Sequence, residues 1–308
     1  MSIAARTFIP ATALLLSLAM PTLSQAQPYE LVFDRPHDVG ARYSVAGEAY
    51  ISQEMHQRVN GDTMQEQSTH SEVNLEGVVD ILAVNAAGGV TQLALTVGEY
   101  DIEINDIGVE LQADRRIIGT VEGDDARFHY ENGDAIDDEL GELLEMFLDD
   151  LLDDEGSAGD ADETMNLDGP KSPGDRWEMG HDYMVQSARE DGQIALDPDR
   201  IESEVHFVEV NEDNDFGTAM AVIELTMRTE GVTFTGDDFP EWMEMQESYI
   251  EMEGSGMLPI DPALHKGRHE VEMEMAFLVA GEVPGQGVQV EIEVEMNRGS
   301  TLVLGDAR

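Results

Sequence analysis

No cysteine occurs anywhere in the chain, which excludes disulfides, thiolate metal centres, cysteine nucleophiles and a lipid-modified N-terminal cysteine together. Lysine is almost missing as well: Lys171 and Lys266 stand alone, and the remaining basic residues are arginine. Against 16 basic residues there are 66 acidic ones, for a formal net charge of -50. No Lys/Arg patch is available to release counterions from phosphates, so nucleic acid and anionic lipid surfaces are excluded as expected partners. Cations are the natural counter-partners. Dense hydrated carboxylates with little lysine suit a saline or divalent-rich exterior, where salt screens their mutual repulsion. Aromatic residues make up only 6 % of the chain, leaving Trp177 and Trp242 as the indoles that could stack on sugar rings. Catalytic signatures are missing too. There is no phosphate loop, no S-x-x-K and no HExxH, and Gly254-Ser255-Gly256 lacks the spacing of a nucleophile elbow. Among 66 acids some carboxylate pair always falls at a hydrolytic distance, so that pairing carries no information.

The first 26 residues read as a secretory signal peptide. Arg6 supplies a sparse positive region and Ala11 to Met20 an apolar one. Ser24 and Ala26 occupy the minus-three and minus-one places of a cleavage site before Gln27. Pro10 and Pro21 bound the apolar run, which falls short of the roughly 18 residues a spanning helix needs. No later run is long and apolar enough to span a bilayer. The expectation is a soluble periplasmic or extracellular protein, large enough to bury a sizeable core.

Apolar residues recur at period two along most of the chain, which predicts a mainly β protein. Leu93, Leu95 and Val97 share one face, and Ile102 and Ile104 alternate with acids. Val271, Met273, Met275, Phe277 and Val279 form one apolar strand face, and Val288, Val290, Ile292, Val294 and Met296 another after Pro284-Gly285-Gln286-Gly287. Setting Val279 opposite Val288 puts Glu274 opposite Glu293 and Glu272 opposite Glu295. Such a like-charge ladder costs some tenths of a kcal/mol per pair. One segment departs from this pattern. Ile136, Leu140, Leu143, Leu144, Phe147, Leu148, Leu151 and Leu152 recur at steps of three and four, an amphipathic helix with Asp137, Asp138 and Glu139 in its first turn. The helix either packs across a sheet or closes an apolar cavity as a lid. The stretch that follows, rich in Asp, Glu, Gly and Ala, reads as a linker.

Sliding the chain against itself suggests an internal duplication. Pro36 to Tyr43 (PHDVGARY) aligns without gaps on Pro170 to Trp177 (PKSPGDRW), and Val79 to Asn85 (VDILAVN) echoes Val205 to Asn211 (VHFVEVN) in the same order. In each first match Pro and Gly set a turn and an aromatic begins a strand. The expected organisation is a signal peptide over 1–26, a first antiparallel β half over 27–135, the helix over 136–153, an acidic linker over 154–168 and a second β half over 169–308. The Pro170 to Trp177 run, Glu253-Gly254-Ser255-Gly256 before Ile260-Asp261-Pro262 and Gly267, and the final long hairpin together resemble exported bacterial domain-of-unknown-function proteins of about 300 residues. That resemblance implies a duplicated, mostly antiparallel β architecture of curved sheets with no established activity. The chain departs from such proteins in its acidity and in lacking a lipoprotein cysteine.

Candidate ligand sites are few. Asn211, Asp213 and Asp215 alternate as in a calcium loop, but the glycine, Gly217, comes one place late and Val222 stands where a bidentate Glu is needed, which favours a polar hairpin turn. Thr164, Asn166, Asp168, Gly169 and Asp175 show a weaker version of the same spacing. Calcium is therefore the one cofactor suggested. His265 and His269 are four apart with Gly267 between them, a turn-region spacing rather than a zinc pair. The methionines of the second half suit soft copper in principle, but those on the strand faces suit core filling better. The leading functional reading is a non-catalytic exported protein that binds an envelope macromolecule or contributes to envelope structure. A carrier of a lipophilic small molecule, held between sheet and helix, is the alternative, and a carboxylate-dependent hydrolase the third.

Overall fold

A computed structural model describes residues 27–33, 35–105, 107–112, 116–122, 125–148, 151–152, 160–190, 194–234, 240 and 242–307. The signal peptide expected over 1–26 and residues 154–159 of the expected linker lie outside them. In chain order the elements are β1 (Arg42–Val59), β2 (Asp62–Val84), β3 (Val90–Ile104), β4 (Ile107–Gly108), β5 (Arg116–Glu122), β6 (Asp125–Tyr130), α1 (Asp138–Leu148), α2 (Asp160–Thr164), β7 (Arg176–Trp177), α3 (His181–Glu190), β8 (Ile194–Ala195), β9 (Ile201–Asn211), β10 (Met220–Glu230), β11 (Thr233–Phe234), β12 (Met243–Pro259), β13 (Gly267–Val283) and β14 (Val288–Asp306).

Among the described residues twelve strands make one antiparallel sheet that is not closed, ordered β6-β5-β3-β2-β1-β14-β13-β12-β10-β9-β7, with β4 on β3; β8 and β11 pair separately. The first and last long strands lie side by side in its middle, and the two edges come from the middle of the sequence. The β6 edge is blocked locally. Glu145 of α1 accepts the Ala126 N–H at 3.0 Å, and the Tyr130 N–H goes to Asp134 O at 2.9 Å, so these donors are not offered to another strand.

Side chains alternate across a strand, and directly paired residues share a face. The register therefore carries one apolar face across the sheet: Leu95 beside Val79, Val79 beside Tyr43, Val45 beside Leu304, Phe277 beside Val294, Met273 beside Met252, Met252 beside Met227, and Ile223 beside Phe207. In β3 the apolar parity switches from Leu93, Leu95 and Val97 to Tyr100, Ile102 and Ile104. The ladder accommodates this with a bulge, since Val97 pairs with Gly77 and Glu99 with the adjacent Glu76.

Two apolar clusters form on this face. In the first, α1 lies against the sheet with Leu143 and Leu148 fully buried and Leu140, Leu144 and Phe147 nearly so, among Val45, Val73, Leu75, Leu95 and Leu302. Asp137 caps the helix, accepting the Glu139 N–H at 3.1 Å. The cap sets the start two residues after Ile136, and Leu152 bridges to Val90 instead of continuing the helix. The second cluster gathers Val205, Phe207, Ile223, Met227 and Ile250 beneath Met179, Val185 and the extended residue Leu31.

Three expectations change. The final hairpin turns at Val283–Val288, so Val279 faces Ile292 and Phe277 faces Val294; Glu274 then meets Asn297 and Glu272 meets Gly299. The slip from the expected register is four residues, an even number, so the apolar faces still coincide. Like charges meet elsewhere instead: Glu251 with Glu274 and Glu253 with Glu272, Glu72 with Glu103 and Glu76 with Glu99, and Glu54 with Glu295. Second, α2 and α3 join the single helix expected. In α3 only Val185 and Ala188 are buried among the described side chains, too narrow a stripe for periodicity to announce. Third, the segment read as linker carries α2, and Leu167 and Met165 beyond it pack on the second cluster.

Candidate functional site

Asn211, Asp213 and Asp215 sit in the turn joining β9 to β10. The Asp213 N–H donates to Asn211 Oδ1 at 3.0 Å, and the Asn214 amide donates to Asn211 O and Thr218 O at 2.7 and 2.8 Å. These bonds close a polar hairpin turn with the Asp213 and Asp215 carboxylates in solvent. Of the weaker set, Asn166 donates to Glu178 O at 3.1 Å, Asp168 pairs with Lys171, and Asp175 Oδ2 accepts the Ser172 N–H at 2.6 Å. No cluster of three or more His, Asp or Glu side chains arranged to hold a metal occurs among the described residues.

A pocket of about 700 Å³ opens between α2 and α3, lined by Asp162, Glu163, Glu178, His181, Asp182 and Tyr183 over Met179 and Leu167. Beside it Ser203 Oγ receives the Met179 N–H at 3.0 Å and bonds His181 Nε2 at 2.8 Å. Ser203 thereby ties the start of α3 to β9.

The most unusual side-chain chemistry lies where the chain enters β1. The Arg35 guanidinium donates to the carbonyls of Pro259, Leu264 and Asp261 at 2.7, 2.7 and 3.1 Å. Its burial lowers the guanidinium pKa, against the pull of Asp261 and Asp162. The His37 ring stacks on His265 with centroids 4.4 Å apart, and its Nδ1 lies 3.1 Å from the Tyr43 hydroxyl. Burial, and then His265, lower the His37 pKa to about 4, with Asp38 opposing. His265 is lowered by burial and then by Arg35, and its Nδ1 is buried without a hydrogen-bond partner among the described residues. Sequence spacing pairs His265 with His269; folding pairs it with His37 instead, across a separation no local pattern reveals.

The two sequence echoes occupy matching hydrogen-bond settings. Gly40 N donates to Ile81 O, Ile81 N to Ala41 O and Ala41 N to Asp38 O; Gly174 N donates to Phe207 O, Phe207 N to Asp175 O and Asp175 N to Ser172 O. Tyr43 then pairs with Val79 and Trp177 with Val205. Gly40 and Gly174 adopt φ of 87° and 92°, in the left-handed region that glycine enters without strain.

Between the clusters the apolar face continues over Met55, Val290, Ile292 and Met296, half-buried side chains that belong to neither cluster. Among the described residues no helix is long and apolar enough to cross a membrane, which leaves membrane-crossing strands unaddressed.

No family model and no curated protein matches the chain. Similar solved structures include the outer membrane protein OprG from Pseudomonas aeruginosa, 6 % identical with a TM-score of 0.26 over 88 % of this chain and 99 % of that one. Another is OpdQ from Pseudomonas aeruginosa, 8 % identical with a TM-score of 0.20 over 87 % and 99 %. At these scores neither likeness bears on what this chain does.

Proposed function

We propose that this chain is an exported, non-catalytic β-rich protein of the bacterial envelope or exterior, built by duplication of a β unit, which carries a molecule with a long apolar chain on the part of its apolar face that lies between the two clusters. The observation that supports carriage is the row Met55, Val290, Ile292 and Met296, half-buried around the buried Val279 and Val294, between the two packed clusters. Unbranched thioethers conform to an irregular hydrocarbon chain better than branched side chains do. The space beneath α1, where a lid would hold its cargo, does not support the reading, because the leucines there pack directly on the sheet. The matched corners at Gly40 and Gly174 support duplication. On the opposite face the glutamates call for cations in the medium as counter-ions.

Titration of the mature protein with a fluorescent long-chain fatty acid tests the carriage. Saturable binding is expected, together with its loss by at least tenfold in Ile292→Glu while the far-UV spectrum stays unchanged. A probe that binds the wild type and Ile292→Glu equally, or neither, would falsify carriage at this face. Sequencing the secreted protein tests export separately, with Gln27 as the expected first residue.

A further inference from the structure

Before β1, residues Tyr29–Phe33 and Arg35–His37 run as an extended strap across the second cluster. The strap is fastened at intervals. Tyr29 and Lys171 exchange backbone hydrogen bonds of 2.7 and 2.9 Å, and the Phe33 N–H donates to Asp162 at 2.9 Å. Leu31 is buried in the cluster with Tyr29 and Phe33 against it, and Tyr29 meets Phe207 edge-on with centroids 6.1 Å apart. At the far end Arg35 grips the loop before β13 and the His37 N–H donates to Gly88 O at 2.8 Å.

We propose that the stacked pair His37 and His265 is an acid-sensitive latch for this strap, so that acidification frees the strap and uncovers the apolar residues of the second cluster. Stacked at 4.4 Å, two imidazolium rings would repel each other. A proton on His265 would also enter beside the Arg35 guanidinium, and a donor at its Nδ1 would find no acceptor among the described residues. Among the described residues, the other groups around the pair are these. On the strap side Asp38 favours the protonated rings; β1 contributes the Tyr43 hydroxyl, which can reorient to donate or accept; the loop before β13 contributes Asp261, bound to Arg35 through its carbonyl, and Lys266, which bonds Phe216 O and lies 3.8 Å from Asp306.

The sign follows from linkage. A His37 pKa of about 4 when docked, against about 6.5 when free, means that the freed strap binds protons the docked strap refuses as pH falls from about 6.5 toward 4. At pH 5 this amounts to about 30-fold in the docking equilibrium from His37 alone, with His265 acting in the same direction.

Hydrogen exchange of the mature protein, corrected for the intrinsic rate at each pH, reads the latch directly. Between pH 7 and pH 5 the strap amides should lose about 20-fold in protection from His37 alone, while those of β9 and β10 hold theirs. In the double variant His37→Gln/His265→Gln the strap should keep one level of protection across that range. Asp38→Asn, which removes the carboxylate that favours the charged rings, should extend the loss to lower pH, so that protection keeps falling below pH 4 where the wild type levels off. An unchanged strap at pH 5, a loss that persists in the double variant, or a strap that opens only together with β9 and β10 would each overturn the proposal.

Discussion

The two apolar clusters lie on one face of one sheet, yet they are built differently. The first is sealed by α1 and its large fully buried side chains are Leu, Ile and Phe. The second is closed by a short polar helix and an extended strap, and methionine recurs through it: Met179 and Met227 buried, Met165, Met184, Met252, Met273 and Met275 at its margin. A branched, helix-sealed cluster has few ways to repack. A methionine-rich cluster under a strap has many. The fixed part of the molecule is thereby separated from the part able to open, and each region can be perturbed to test that division.

The largest contrast should come from truncating one large side chain in each cluster. Phe147→Ala, beneath α1, should cost about 3–5 kcal/mol, because closely packed neighbours cannot collapse into the void. Met227→Ala should fall near the lower end of its class, about 2 kcal/mol, as neighbouring thioethers move in. Urea unfolding of both variants measures this. Equal costs, with equal m-values, would remove the distinction between a rigid and a plastic cluster.

How much of this was legible in sequence differs between the same two regions. The first cluster announced itself, because leucine at steps of three and four over α1 and alternation in β2 and β3 are local patterns. The second did not. Helix α3 offers two buried positions among its described side chains, and the strap is a short run whose partners lie more than a hundred positions away, Phe33 with Asp162 and Arg35 with Pro259. The hairpin register slipped for a related reason. Gly281 breaks the apolar alternation, so the pattern ends the strand face at Val279 before the Pro284-Gly285-Gln286-Gly287 turn, but Gly281 is mid-pair in β13, and a Cβ there would stand 2.1 Å from Trp242 O. That glycine serves the close approach of another segment, a tertiary cause with no local signature. The carboxylates of the calcium-like loop lie in a turn held by the side chains of Asn211 and Asn214. The His37–His265 pair was invisible until the chain folded.

A smaller effect sharpens the comparison of the two corners. At both Gly40 and Gly174 the space a methyl group would take has no atom within 4 Å, so alanine at either site costs only the left-handed backbone, about 1–2 kcal/mol. Gly40→Ala and Gly174→Ala should therefore lower stability by the same amount within a few tenths of a kcal/mol. A difference above about 1 kcal/mol would mean that the corners carry different loads, and would weaken the reading of one unit used twice.

The smallest effect separates the two glutamate ladders on the opposite face. Between β12 and β13 the repulsion is partly answered: Arg228 lies 3.3 Å from Glu251, and the Tyr249 hydroxyl donates to Glu274, a bond that raises the Tyr249 pKa to about 12. Between β2 and β3 the described compensation is weaker, His70 at 3.5 Å from Glu72. Removing a charge should help where it is uncompensated and not where it is. Glu103→Gln should raise stability by a few tenths of a kcal/mol at low salt, whereas Glu274→Gln, which exchanges a charged acceptor for a neutral one under Tyr249, should be neutral or slightly destabilising. Near molar salt, with a Debye length of about 3 Å, the gain from Glu103→Gln should vanish while the wild-type midpoint has climbed. Thermal melts of the three proteins across that range decide the matter, since a wild-type midpoint indifferent to salt would mean that opposed glutamates impose no measurable strain on either ladder.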